Sequence, residues 1–431
     1  MKNLSQTSGQ RRWLSLGIVG ILCSACLPVQ AANWIMLQGT EQPGIAPKAQ
    51  FFGFIQPTYQ KDFSEPFAGK YVPPKLIGPN LDGQSSFNIL RARVGVRGAP
   101  FPFDNRVNYF LMADFGNNSI TNGGRYGEYR PRLSDASVTL SYIPGARLRL
   151  GLFKYPGAEE GLQGIKTLNY INYTTVTNQL LLERYPSATD RNIPPQTTPN
   201  ADMNGFSQPA NGFRDTGVQV FDAFDVGAFE HTYAVMLGSG RGVQLGESNG
   251  RPDVYLYWSS AYLFDQKNKG PMSPSLKGFA WYQGGQRHDA YNATQSQDRI
   301  RYGAGITYLK RPFRLTTEYM WGNGLIYQGA QNPQNLFNNF KAHGGYVEGG
   351  WFIPNSRWEL DLRYDTYTRN LNQPTQSTFN TWTAGVQYHF TPQTRVTVNY
   401  ANRDFSALSV ANNNQLKEVK GLLAVQVTAQ F

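Results

Sequence analysis

Between Arg357 and Asp365 the chain reads RWELDLRYD, and every second residue changes character. Trp358, Leu360, Leu362 and Tyr364 are apolar or aromatic, while Arg357, Glu359, Asp361, Arg363 and Asp365 are all charged. Side chains that alternate with a period of two leave opposite faces of a β-strand, and a helix cannot sort them that way. The last segment, GLLAVQVTAQF, repeats the pattern. Leu423, Val425, Val427, Ala429 and the terminal Phe431 share one face, and Gln426, Thr428 and Gln430 mark the other. One such strand fits a soluble sheet as well as a membrane one. The number of strands, and how they are joined, decides between them.

Period-two runs begin near Gln50, Ser86, Asn105, Leu133, Arg147, Phe213, Ala228, Pro252, Leu276, Arg299, Pro312, Ala342, Arg357, Phe379, Thr394 and Lys420, which makes about sixteen strands. The connections alternate in length. Lys61 to Ser85 is long and Gly98 to Asp104 short; Gly116 to Pro131 is long and Pro144-Gly145-Ala146 short. Later, Lys310-Arg311, Pro354-Asn355 and Thr391-Pro392-Gln393 are short, against Gly322 to Lys341 and Asn370 to Thr378. Short turns at one end and long polar loops at the other are what a meander between periplasm and exterior produces, with both termini in the periplasm if the count is even. In hydrocarbon each unpaired backbone N–H or C=O costs several kcal/mol, so no sheet edge survives there and the first strand must pair with the last. The expectation is an all-β fold. It is a closed, transmembrane, antiparallel β-barrel of about sixteen strands with long extracellular loops, short periplasmic turns and a lumen wide enough for water.

Composition agrees. Aromatic residues make up 14% of the chain, with 25 Tyr, 26 Phe and 44 Gly, as expected where one face of each strand is greasy, the other wet, and aromatic girdles mark both interfaces. Mean hydropathy is −0.45, and beyond residue 31 no run approaches the roughly 18 apolar residues of a spanning helix. The formal net charge of +11 is spread along the chain and accompanies no nucleic-acid-binding motif, so it reads as a field inside a pore.

The first 31 residues read as a signal peptide. Lys2, Arg11 and Arg12 precede an uncharged apolar run from Trp13 to Leu27, and Val29-Gln30-Ala31 offers small residues at the cleavage positions. Arg11-Arg12 as a twin-arginine signal and Cys26 as a lipidation site are the weaker readings. A barrel must travel unfolded, and Cys23 stands where lipidation signals want an aliphatic residue. Both cysteines lie in this leader, so the mature chain is expected to hold neither disulfide nor Cys-based metal site. Residues 32–49 then form a short periplasmic segment and 50–431 the barrel, in an outer membrane of a Gram-negative bacterium, among its lipid and lipopolysaccharide.

If apolar residues face lipid, their neighbours line the lumen. With Leu90, Ala92, Val94 and Val96 outward, Arg91, Arg93 and Arg97 turn inward; the same parity turns in Arg147, Arg149, Arg299, Arg301, Arg314, Arg357, Arg363 and Arg395. Asp114, Asp135, Glu318, Glu359, Asp361 and Asp365 share that wall. Some will pair across strands and stabilise the sheet, and the excess of arginine suggests a weak anion preference. The longest connection, Tyr155 to Asn211, is the candidate for a loop folded inward to narrow the channel, and Glu159, Glu160, Lys166, Glu183 and Arg184 are the charges it would bring. An external loop packed on a neighbouring subunit is the alternative.

The segments LRLGLFKYPGAEEG, LLERYP, FRDTGVQV, YAVMLGSGRG, GGYVEGGWFIPNSRWELDLRYD and WTAGVQYHFTPQTRVTVNY, in that order, resemble the phosphate-selective porin O and P family from about Arg91 to the C-terminus. The resemblance implies a trimeric sixteen-stranded barrel, an arginine-lined path and an infolded third loop. No phosphate-binding set maps onto Arg91, Arg93 or Lys166, and AANWIMLQGTEQPG lacks the coiled-coil heptads of some relatives.

Three functions follow. A passive diffusion channel for small anionic or polar solutes, without cofactor or metal, accounts for most of these features. A sheath or secretion barrel around a protein partner shares the alternation. A barrel hydrolase would need a nucleophile motif beside His231, His288, His343 or His389, and none is recognisable, so no catalytic residue is assigned.

Overall fold

The computed structural model describes residues 33–40, 48–65, 86–99, 104, 106–118, 131–183, 211–244, 251–265, 270–288, 296–327 and 338–431. The leader and Arg184 lie outside the described residues.

Sixteen antiparallel strands form one closed barrel. They are β1 (Gln50–Asp62), β2 (Ser86–Gly98), β3 (Val107–Asp114), β4 (Arg132–Ile143), β5 (Ala146–Lys154), β6 (Arg214–Val226), β7 (Phe229–Gly238) and β8 (Asp253–Leu263). There follow β9 (Ser275–His288), β10 (Ser296–Lys310), β11 (Phe313–Asn323), β12 (Lys341–Phe352), β13 (Trp358–Arg369), β14 (Ser377–His389), β15 (Thr394–Ala407) and β16 (Leu422–Gln430). Each pairs with its neighbours in sequence, and β1 closes on β16. The seam includes the terminal residue: Phe431 and Gly53 exchange backbone hydrogen bonds of 2.9 and 3.0 Å. The Phe431 ring lies where a Cβ on Gly53 would be, about 2.4 Å away, so glycine is what lets the chain end close the sheet.

Hairpins at one end are tight. β4 turns into β5 through Pro144-Gly145 and β6 into β7 through Gly227-Ala228, with both glycines in the left-handed region at φ of 77° and 62°. The opposite end carries the long connections.

Outside, the strands present Val235, Leu256, Trp258, Leu362, Trp382 and Tyr400, all exposed. Inside, the two halves differ. From β5 to β12 the inward side chains include Phe153, Phe221, Met236, Tyr255, Phe279, Trp281 and Met320, which join residues of the long loop in an apolar cluster. From β13 round to β2 they are mainly polar, with pairs such as Gln56 to Thr428 at 3.1 Å and Gln426 to Thr58 at 2.9 Å.

Three expectations need correction. Leu90 is not on the lipid face: it is buried and packs on Ile171 of the loop. The register slips there, with Gln56 opposite Arg91 but Pro57 opposite Ile89, and Pro57 has no N–H to donate to the ladder. Arg357 precedes β13 and is exposed in a turn, where it donates to the Phe390 carbonyl at 3.3 Å. Residues 33–40, expected in the periplasm, lie within the barrel. Asn33 bonds Tyr257 and Ser259 of β8, and Gln38 bonds Asp135 of β4.

Candidate functional site

The inner wall follows parity. Arg91, Arg93, Arg149, Arg299, Arg301, Arg363, Arg395, Asp114, Glu318 and Asp361 are buried within the barrel, and Arg97, Arg147 and Arg314 share that face with partial exposure. What covers them is the chain itself. After Lys154 the backbone turns back into the lumen, where the Lys154 ammonium caps the carbonyls of Gly161, Leu162 and Gln163 at 2.8–3.2 Å. Those carbonyls close a short helix, Glu159–Leu162, and a Lys near a helix C-terminus meets its orphan acceptors. The loop then crosses the barrel. Asn169 reaches Asp361 of β13 at 2.9 Å, the Ile171 amide reaches Asn399 of β15 at 2.9 Å, and the Thr175 amide reaches Asp365 at 2.8 Å.

Two kinds of contact fix it. The first is ionic. Glu159 takes Lys277 of β9 at 2.7 Å, Glu160 faces Arg363 at 3.5 Å, and Glu183 lies between Arg287 at 2.7 Å and Arg299 at 2.6 Å. Burial alone would raise the Glu183 pKa, but Arg287 and Arg299 outweigh it and hold the carboxyl below its ordinary value. On the wall itself, Arg93 pairs with Asp114 at 2.8 Å, Arg314 with Glu359 at 2.5 Å, and Arg147 with Asp222.

The second kind joins wall arginines to backbone carbonyls. Arg91 donates to Ile171 at 3.2 Å, Arg363 to Asn172 at 3.2 Å, Arg301 to Leu180 at 3.1 Å, and Arg395 to Lys166 at 3.0 Å and also to Leu168. Arg149 treats the N-terminal segment likewise, donating to Ile35 at 3.3 Å and to Gln38. Among the described residues Arg91, Arg149, Arg301 and Arg395 have no carboxylate in ion-pair range. A guanidinium with five donors suits this work, because it satisfies several carbonyls of an irregular segment that no ladder serves. Lys166 contributes its carbonyl to this network.

Two cavities flank the loop. One opens toward the long-loop end beside Asn172, Tyr173, Gln179, Arg363, Thr381 and Arg403; the other opens toward the short-turn end beside Trp34, Glu159, Asn169, Lys277, Arg314 and Glu348. Tyr170 follows Asn169 of the second lining and precedes Asn172 of the first in the chain, and its ring lies under the Arg363 guanidinium at 4.2 Å.

Parity did not single out Lys277, Arg287, Arg214 or Arg403, nor the N-terminal segment. Lys277 sits in LKGFAWY, where Phe279 and Trp281 also point inward, so both faces look apolar and the alternation is hidden. Of the histidines, His231 and His343 have outward partners, Ser260 at 2.9 Å and Tyr319 at 2.5 Å, whereas His389 faces Glu359 inside at 3.1 Å.

Residues 277–431 match the model of the phosphate-selective porin O and P family. No curated protein matches the chain. Among solved structures the chain is similar to a loop-deletion mutant of OmpT, an outer membrane protein of Vibrio cholerae, with 9% identity over 89% of this chain and 99% of that one and a TM-score of 0.52. It is also similar to the outer membrane channel DcaP of Acinetobacter baumannii, with 12% identity, 91% and 100% coverage and a TM-score of 0.52. An anion-selective porin from Comamonas acidovorans gives 14% identity, 89% and 99% coverage and a TM-score of 0.50. At such identities these likenesses speak for the fold.

Proposed function

We infer that this chain, whose residues 277–431 match the phosphate-selective porin O and P family, is an outer-membrane porin through which small hydrophilic solutes diffuse. The supporting observation is the closed sheet with Leu362 and Trp382 on its outer face and Arg363, Asp361 and Glu359 on its inner one. Lipid and lipopolysaccharide meet the first surface, and solute the second. The path we propose runs between the two cavities, past Tyr170, Arg363 and Arg314.

The preference is for anions, small oxyanions such as phosphate among them. Arg91, Arg149, Arg301 and Arg395 carry charge that carbonyl dipoles solvate but do not neutralise. Glu359 and Asp361, which face Arg314 on the same wall at 2.5 and 3.6 Å, offset part of this charge and keep the preference weak. A sheath around a threaded protein is the poorer reading, because residues 155–183 already cross the lumen that such a partner would need clear. A leader removed after Ala31 and a homotrimeric assembly complete the proposal; N-terminal sequencing and the mass of the detergent-solubilised complex test them.

Planar bilayers separated by a KCl gradient test the function. Stepwise conductance with a zero-current potential of anion-selective sign is expected. Folded protein without conductance rejects the channel, and a cation-selective sign rejects the preference.

A further inference from the structure

Residues 33–40 carry the sequence NWIMLQGT, and Trp34, Ile35 and Met36 are each at most 7% exposed inside the barrel. The segment is held at both ends. Asn33 donates to the Tyr257 hydroxyl at 3.0 Å and to Ser259 at 2.8 Å; Gln38 donates to Asp135 at 2.7 Å and accepts from the Lys154 amide at 3.3 Å. Between these ends a helical turn, Trp34–Leu37, presents the indole N–H to Glu159 of the inserted loop at 3.0 Å, and the Trp34 ring reaches to 3.5 Å from where a Cβ on Gly164 would be. The segment therefore lies between the wall of β4 to β8 and the first turn of the loop. It packs against the element that crosses the barrel.

We propose that Asn33–Thr40 is a lumenal strap that seats the constriction loop, so that the N-terminal segment of the chain, together with the loop, sets the bore. The proposal rests on the porin reading. Without the strap, Glu159 keeps Lys277 but loses its indole donor, Arg149 loses both carbonyls, and the volume of a Trp, an Ile and a Met opens on that side of the lumen. The loop is then free to settle toward β4 to β8, away from the polar wall of β13 to β16.

Single-channel conductance of the full chain and of a variant lacking residues 33–40 tests this, with the heat-dependent gel shift of the barrel as the control for folding. Conductance of the deletion variant is expected to rise on the order of two-fold, with a weaker anion preference. A synthetic peptide of residues 33–40, added from one side, is expected to restore the smaller step, and the same peptide with Trp34→Ala is not. Equal conductance of the two folded proteins overturns the strap while leaving the porin reading in place. Two folded proteins that both fail to conduct overturn the porin reading, and the strap with it. Should the deletion variant not fold, Trp34→Ala combined with Gln38→Ala keeps the backbone intact; an unchanged step in that variant overturns the strap equally.

Discussion

Glu159 accepts the Lys277 ammonium on both oxygens, at 2.7 and 2.9 Å, and the Trp34 indole at 3.0 Å, and all three side chains are buried although they border the cavity at the short-turn end. A carboxylate so placed is tolerable only with its partners. Lys277→Met is expected to destabilise the folded barrel by about 3–5 kcal/mol, because it leaves an uncompensated buried charge; urea unfolding in detergent measures it. An unchanged midpoint would mean that water reaches Glu159 despite its burial. The arginines teach a related lesson. Period-two alternation announces that Arg301 or Arg395 points inward, since the neighbours Tyr302 and Val396 belong to the outer face. It carries no information about the carbonyl each one meets. Leu180 and Lys166 are over a hundred positions away in sequence, in a segment without period, and only the fold brings them to the wall.

At the scale of elements, strands were legible and inserted segments were not. All sixteen strands begin within a few residues of where alternation starts, since lipid on one side and a polar lumen on the other enforce the pattern along each strand. The exceptions have local causes: Pro57 interrupts a ladder and turns Leu90 inward, and the inward aromatics of β9 erase the contrast around Lys277. The strap is eight described residues with no repeat to read. The far end of the inserted loop makes a pH prediction. The folded pKa of Glu183 lies below its ordinary 4.5, so its ion pairs with Arg287 and Arg299 contribute fully above 4.5 and are lost as pH falls through the folded value. The Glu183 pairs should therefore add a step in single-channel noise as pH falls below about 4.5. Glu183→Gln, which has no proton to gain, should remove that acid step; a step of the same size in that variant would assign it to another group.

For the whole molecule the decisive property is that a single sheet separates two solvents. Its outer surface is apolar over the full circumference, while its interior holds an apolar cluster centred on the β5 to β12 side and a mainly polar wall from β13 round to β2. The apolar side anchors the loop and the strap. The polar half, bordered by Thr381, Thr383, Arg363 and Arg403, flanks the cavity at the long-loop end, and Lys277, Arg314 and Glu348 flank the one at the short-turn end. Both the closure of the sheet and the choice of face for each side chain follow from the cost of leaving backbone groups or charges in hydrocarbon. Tryptophan reports on that choice directly. Trp382 of β14 is 52% exposed on the outer face, whereas Trp281 of β9 is 4% exposed and donates to Glu318 inside at 2.7 Å. Two variants, each keeping one of these tryptophans and carrying Phe at the others, can be folded into vesicles of phospholipid brominated along its acyl chains. The account predicts strong quenching of Trp382 by the brominated lipid and essentially none of Trp281; equal quenching of the two would contradict it.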